Sequence, residues 1–477
     1  NRTEYQNAIR SLLALDIDVT GLLPRDDASF GFDNINAGGL SPTLMERYLA
    51  AARKISRLAV GSRVPAPGSR VVILRTDRTQ EDHVDGLPFG TRGGAAVNHT
   101  FPFDGEYEIQ VRLMRNRNEN VEGLTEPHEV ELALDGERLE IFAVMPTQNK
   151  YMLAGSAYYA DEDLDRHLNV RAPITAGPHV VDATFIKKNS ALLETTRQPY
   201  HAHFNNDRHP RQQPAMRSIS ITGPFDSTGI GETPSRSRIF SCHPEAGVEA
   251  DECATAIIAS LARRAYRRPV QVDDLEQLVS FYKEGYVEGG FEAGIEIALR
   301  ALLASPEFLF RIERDPDGVI PGEPYRVGDI ELASRLSFFL WSNLPDDELL
   351  EVASAGQLRD PAVLEAQVRR MLVDPRAEEL TTNFAVQWLH LRNLEAVEPN
   401  IRIFPDFDDN LRQGFRRETE LLFQSIVKED RSVLDLLTAD YTFINERVAK
   451  HYGYQNIYGD HFRRISLPQG SQRNGLL

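Results

Sequence analysis

Apolar residues recur every three to four positions toward both ends of this chain and every second position between them. Tyr5, Ile9, Leu12 and Leu13 share one helical face. Pro24 to Gly39 is rich in Asp, Gly and Asn and reads as a loop. Ser41-Pro42 then supplies an N-cap and a proline at the first helical position, and Leu44, Tyr48, Ala52 and Ile55 form the apolar stripe that follows. Beyond residue 62 the period shortens. Val71 to Leu74 is a short run, Asp104-Gly105 reads as a turn, and Tyr107, Ile109, Val111 and Leu113 alternate. Val130, Leu132 and Leu134 alternate up to Asp135-Gly136, and Leu139, Ile141 and Ala143 return from it, which predicts a hairpin. Residues 179–186 and 219–221 close the set, and the polar stretch 187–217 reads as a long loop. Short strands spaced by turn residues predict a β-sandwich. From 251 onward the helical period returns, as in Ile257, Ile258, Leu261 and Ala265, or Phe415, Leu422, Phe423 and Ile426. The fold class is multidomain α + β, with an antiparallel β-sandwich inserted between mainly α-helical regions. The predicted segments are a helical region 1–61, the sandwich 62–225, a linker 226–250 and helical domains 251–325 and 326–477.

A chain of 477 residues exceeds one ordinary core. Its 71 acidic and 53 basic side chains give a net charge of −18, a surface that repels phosphate backbones and anionic lipid. Nucleic acid is therefore excluded as a default partner, and no run approaches the roughly 20 apolar residues of a membrane span. Cys242 and Cys253 are the two cysteines, and their proximity suits a local disulfide in an exported protein. Asn1-Arg2-Thr3-Glu4-Tyr5 runs straight into a helix, and Gly475-Leu476-Leu477 stops within what reads as a new segment. The expectation is an internal piece of a larger protein.

Four blocks carry a resemblance. They are Asn1 to Arg10 with Leu12, Leu13 and Asp16, continued by Phe30-Gly31-Phe32-Asp33-Asn34; Ala262 to Pro269; Ala333 to Ser342 with Pro345 to Leu349; and Phe384 to Leu389 with Phe404 to Phe407 and Asp440 to Glu446. Together they resemble the planctomycete-type cytochrome c-linked multidomain family of exported proteins, built from domains of unknown function. The resemblance implies a periplasmic or cell-surface location, haem c in a flanking domain, electron transfer, and a cytochrome c domain or redox protein as partner. The chain itself has no Cys-x-x-Cys-His, so it holds no covalent haem site; Cys242-His243 is a fragment of that pattern. Thr91-Arg92-Gly93-Gly94 and the run His99 to Tyr107 make the β segment similar to carbohydrate-binding modules, which implies polysaccharide as a ligand.

Candidate chemistry is sparse. Tyr151, Tyr158, Tyr159 and Tyr200 are the aromatic candidates for stacking on sugar rings, against the plain alternative of sandwich core. His201 and His203 share a face if extended, with His209 nearby, as candidate metal ligands, while Asp161, Asp163 and Asp165 are candidate calcium ligands. Asp406, Asp408 and Asn410 open like a calcium loop, but the pattern fails at Leu411, so a helix N-terminus is the better reading. Arg263, Arg264, Arg267 and Arg268 form a basic cluster, read as a helix C-terminus with internal salt bridges or as a docking site for an acidic group. Trp341 and Trp388 read as core. No P-loop, G-x-S-x-G or H-E-x-x-H motif occurs. The leading reading is a scaffold and ligand-binding portion of a cytochrome c-linked protein. The alternatives are an oxidative or hydrolytic polysaccharide-active enzyme and a structural subunit of a cell-surface assembly.

Overall fold

A computed structural model of the chain describes every residue except 30, 34–40, 62–66, 117–118, 147–163, 189–212, 245–247, 314–317, 319, 321, 323, 401–402, 405, 469 and 477. The chain divides into two units, one of Asn1–Val64 with Ile230–His390, the other of Pro65–Gly229 with Leu391–Leu477. The fold is the expected α + β arrangement, and the segment anticipated as one helical domain, 326–477, is divided at His390.

The first unit is helical: α1 (Arg2–Leu13), α2 (Pro42–Val60), α3 (Pro234–Ile239), α4 (Val248–Ala265), α5 (Val272–Ala304), α6 (Pro306–Leu309), α7 (Asp329–Trp341), α8 (Asp347–Ser354), α9 (Pro361–Val373) and α10 (Val386–Trp388). Ser41 Oγ accepts the Leu44 N–H at 3.2 Å to start α2, and Gly61, at φ 75°, ends it. Ile9, Leu12 and Leu13 of α1 and Ile55 and Ala59 of α2 are fully buried in one core with Ile257 of α4 and Leu299 and Leu303 of α5. Each large side chain so buried contributes roughly 1.5–3 kcal/mol, so the first sixty residues hold the later helices together across more than the length of the sandwich. The sandwich leaves and re-enters this unit at neighbouring points: a Cβ on Gly61 would lie 2.3 Å from Ile230 Cγ2. Helix α5 breaks at Gly289 (φ −156°, ψ 18°) and Gly290 (φ 79°, ψ −164°), a conformation open to glycine. Cys242 and Cys253 form the expected disulfide, tying the segment after α3 to α4.

The second unit contains the sandwich. Its strands are β1 (Gly68–Ile73), β2 (Thr91–Phe101), β3 (Asp104–Leu113), β4 (His128–Leu134), β5 (Glu137–Val144), β6 (Asn169–Ile174), β7 (Gly177–Ile186) and β8 (Met216–Gly229). Two antiparallel four-stranded sheets result, in the orders β1-β8-β3-β6 and β2-β7-β4-β5. Burial alternates residue by residue along β3. Inward-facing Tyr107, Ile109 and Val111 meet Val130, Leu132, Val181 and Phe185 from the other sheet. Asp104-Gly105, read as a turn, instead opens β3; the chain switches sheets at Pro102-Phe103, where Tyr107 Oη donates to the Phe103 carbonyl at 2.9 Å. Thr91-Arg92-Gly93-Gly94 forms a bulge in the β2–β7 ladder. A Cβ on Gly94 would fall 1.9 Å from the Ala183 carbonyl oxygen, and Arg92 runs inward to donate to the Gln80 and Pro214 carbonyls, both at 3.0 Å. These motif residues are structural.

The rest of the second unit is α11 (Asp409–Lys428), α12 (Asp435–Thr438), β9 (Tyr441–Ile444), α13 (Glu446–Tyr452) and β10 (Arg463–Ser466), with β9 and β10 paired. Asp408 caps α11 by accepting the Leu411 N–H at 2.8 Å, as expected of a helix N-terminus. Its other oxygen accepts from Thr79 Oγ1 at 3.0 Å, and buried Arg412 reaches Asp77 at 3.1 Å and Asp409 at 2.8 Å. These paired charges fasten the C-terminal helices to the segment between β1 and β2. No helix among the described residues is long and apolar enough to cross a membrane.

The disulfide closes a short loop, eleven residues apart in sequence. Reduction should lower unfolding free energy by about 3 kcal/mol, measured by urea denaturation with and without reductant. An unchanged midpoint would contradict a stabilising role.

Candidate functional site

Tyr151, Tyr158, Tyr159, Tyr200, His201, His203, His209, Asp161 and Asp163 lie outside the described residues. Asp165 is described and fully buried. Its oxygens accept from Arg112 at 2.7 Å, from Arg115 at 2.8 Å and from the Leu113 N–H at 2.7 Å. Burial works against its ionisation, but Arg115, the Leu113 N–H and Arg112 together outweigh it and hold the carboxyl below the usual range. In these contacts Asp165 serves as a clasp between β3 and the turn before β6.

Of the four arginines, Arg263 pairs with Asp347 at 2.6 Å, and Arg268 with Asp274 at 2.7 Å and Glu307 at 3.4 Å. Arg267 is buried just past α4 at φ 58° and donates to the carbonyls of Ala265, Glu307, Phe308 and Phe310. Arg264 makes no hydrogen bond or ion pair among the described residues. The block Ala262 to Pro269 thus mainly joins α4 to α6.

Three of the sequence blocks converge instead on one surface of the first unit. Asn1 Nδ2 donates to Asp33 at 2.7 Å, and the Asp33 N–H donates to Gln387 Oε1 at 2.9 Å. Gln387 Nε2 donates to Asn383 Oδ1 at 2.7 Å, and Asn383 Nδ2 to Ser342 Oγ at 2.9 Å. Asn7 closes the relay with a longer 3.4 Å bond to the Ser342 carbonyl. Asn7, Ser342, Asn383 and Gln387 are all buried. Leu380–Ala385 is a π-helical turn leading into α10, and it brings Asn383 inward and Phe384 outward.

Above this relay lies an aromatic face. Phe384 stacks on Phe32 (5.8 Å between centroids, 26°) and on Trp388 (6.0 Å, 22°), and meets Phe339 edge-on at 5.5 Å. Trp388 is 43% exposed and Phe339 52%. Trp388 therefore does not belong to the core, because the wider π-helical turn before it shifts the helical phase. Trp341 does, with its indole N–H donating to the Met371 carbonyl at 2.9 Å and Arg376 lying 3.6 Å over the ring. Gly31 completes the face: at φ 87° it lies so close to His390 that a Cβ would meet the imidazole at 2.7 Å. Exposed rings backed by satisfied amides suit stacking and docking. Among the described residues the face holds neither a carboxylate pair nor a nucleophile beside a base, and no three His, Cys, Asp or Glu side chains of those residues cluster as a metal site.

Residues 1–61 match the model for PSD3: Protein of unknown function (DUF1587), residues 253–313 that for PSD5: Protein of unknown function (DUF1595), and residues 327–454 that for PSD4: Protein of unknown function (DUF1592). The chain carries PSD3, PSD5 and PSD4 domains of the planctomycete cytochrome c-linked family. The sandwich falls between the PSD3 and PSD5 matches, and the relay joins PSD3 to PSD4. No curated protein matches the chain.

Asn383→Ala should cost about 1–3 kcal/mol, because it strands the buried amide of Gln387 and the hydroxyl of Ser342; a chemical-denaturation midpoint equal to the parent's would argue against the relay. Asp165→Asn should cost about 3 kcal/mol, since it leaves two guanidiniums facing a neutral amide. The pKa of Asp165 is depressed in the folded protein, so its contribution is complete above its unfolded value of about 4 and disappears as pH falls through the folded value. The stability difference between parent and Asp165→Asn, followed by denaturation from pH 7 downward, should shrink only in that acid range.

Proposed function

We propose that this chain is the scaffold and ligand-binding portion of an exported cytochrome c-linked protein, holding a haem c domain of the same protein near a polysaccharide. The order PSD3, β-sandwich, PSD5, PSD4 carries the reading. The disulfide between the two thiols of this chain supports assigning the haem to a flanking domain. Support comes from the disulfide, which suits an oxidising compartment, and from the aromatic face of Phe32, Phe339, Phe384 and Trp388, whose rings suit both a partner domain and the C–H faces of sugars. The sandwich adds a second surface for glycan binding. In this role the chain positions its partners, and electron transfer is the haem domain's part.

The test uses the full-length protein. It should show the Soret absorbance of haem c and bind immobilised polysaccharide in a glycan array. Binding lost on calcium chelation would assign a calcium-dependent sandwich site, and binding retained would assign a calcium-free one. Absence of the haem band, or of glycan binding under both conditions, would overturn the corresponding half of the proposal.

A further inference from the structure

A second feature of the first unit stands apart from the aromatic face and does not rest on the polysaccharide reading. Helix α2 and the two halves of α5 enclose a cleft of about 380 Å³. Glycines on its lining let the two halves of α5 pack closely. A Cβ on Gly285 would lie 2.7 Å from the Ala293 carbonyl oxygen, and one on Gly289 would lie 2.8 Å from the Ala293 Cβ, so the two halves of α5 approach closely beside their break. Gly285 and Gly289 then form a wall without side chains.

Three guanidiniums enter this space: Arg53 and Arg57, one helical turn apart on α2, and Arg300 on α5. One buried carboxylate, Glu296, meets two of them. Arg300 donates to it at 2.5 Å, and Arg57 Nε forms an ion pair with it at 3.5 Å. The Nε atoms of both Arg57 and Arg300 are buried without an acceptor. The Arg53 guanidinium has no hydrogen bond or ion pair among the described residues. The remaining acid on the wall, Glu288, is exposed at the rim.

Buried N–H donors without acceptors are costly, and the one buried carboxylate, Glu296, meets only two of the three guanidiniums, so positive charge remains in excess beside it. This is an unusual grouping in a chain of net charge −18. The planar fork of a guanidinium matches the oxygens of tetrahedral oxyanions. We propose that the cleft between α2 and α5 binds a phosphate or sulfate group through Arg53, Arg57 and Arg300. Arg53 closes over the group from the solvent side, while Glu296 orients Arg57 and Arg300 toward it from below. The cleft exceeds the size of a bare ion, and its volume accommodates an ester of such a group on a small molecule.

Isothermal titration calorimetry of the whole chain at constant ionic strength tests this, with inorganic phosphate, inorganic sulfate, glucose 6-phosphate and glucose 6-sulfate as probes. Saturable binding of at least one probe is expected. Arg53→Ala should weaken it at least tenfold, and Glu288→Gln should tighten it. Arg369→Ala, a change at an exposed arginine of α9, should leave it unchanged. Arg53 is exposed, so its variant should keep the parent's Tm, which separates loss of binding from loss of fold. Tighter binding of the esters would identify an esterified ligand, and tighter binding of the inorganic ions a free one. No saturable heat with any probe, or Arg53→Ala binding like the parent, would overturn the proposal.

Discussion

Buried amides tolerate little misplacement. Each side-chain amide withdrawn from water needs its donors and acceptors met, and Asn383 and Gln387 meet theirs only if α1, the end of α7 and the π-turn before α10 all hold their places. The apolar core supplies most of the energy that joins the N-terminal helices to the later ones. It does so with little directional preference, because leucine and isoleucine side chains can repack. The amide relay adds the direction. It fixes the register in which PSD3 meets PSD4, and it sets the backbone from which Phe32, Phe384 and Trp388 project.

That division of labour explains why the aromatic face can remain open. Exposed rings normally invite collapse or aggregation, and a face so formed stays in place only when the layer beneath is rigid. Here the layer is satisfied by its own hydrogen bonds. The second unit uses charge for a similar end: Asp77, Thr79, Asp408 and Arg412 join the sandwich to the C-terminal helices through directional contacts. In both units the strongest positional constraints are polar, while the bulk of the burial is apolar.

Elements governed by a period were legible in the sequence. The Val130–Ala143 hairpin, the alternation of β3 and the Ser41-Pro42 helix start follow from spacing and from capping chemistry, and the structure contains all three. The Cys242–Cys253 bond followed from proximity. What escaped notice carries no period. Asn7, Asn383 and Gln387 are ordinary polar residues in sequence, and only long-range folding unites them. Trp388 sits in an apolar run, but a π-turn resets which way it faces. Thr91-Arg92-Gly93-Gly94 was read through its likeness to sugar-binding modules, whereas its glycines answer to a crowded bulge. The division at His390 falls inside a run of helical periodicity, so the period alone does not mark it. The cleft arginines come from segments more than two hundred residues apart, and a helix face of Arg53 and Arg57 alone looks like any solvated one.

The near-contact of Gly61 with Ile230 bears on how such a chain could arise. To the helical core, everything between those residues is one closed loop, and the entropy of closing a loop grows only with the logarithm of its length, about 0.6 kcal/mol for each doubling. With both ends pinned side by side, a short turn and a complete two-sheet domain impose nearly the same burden on that core. Size at this junction is therefore almost free thermodynamically, which makes it a natural port for acquiring new modules.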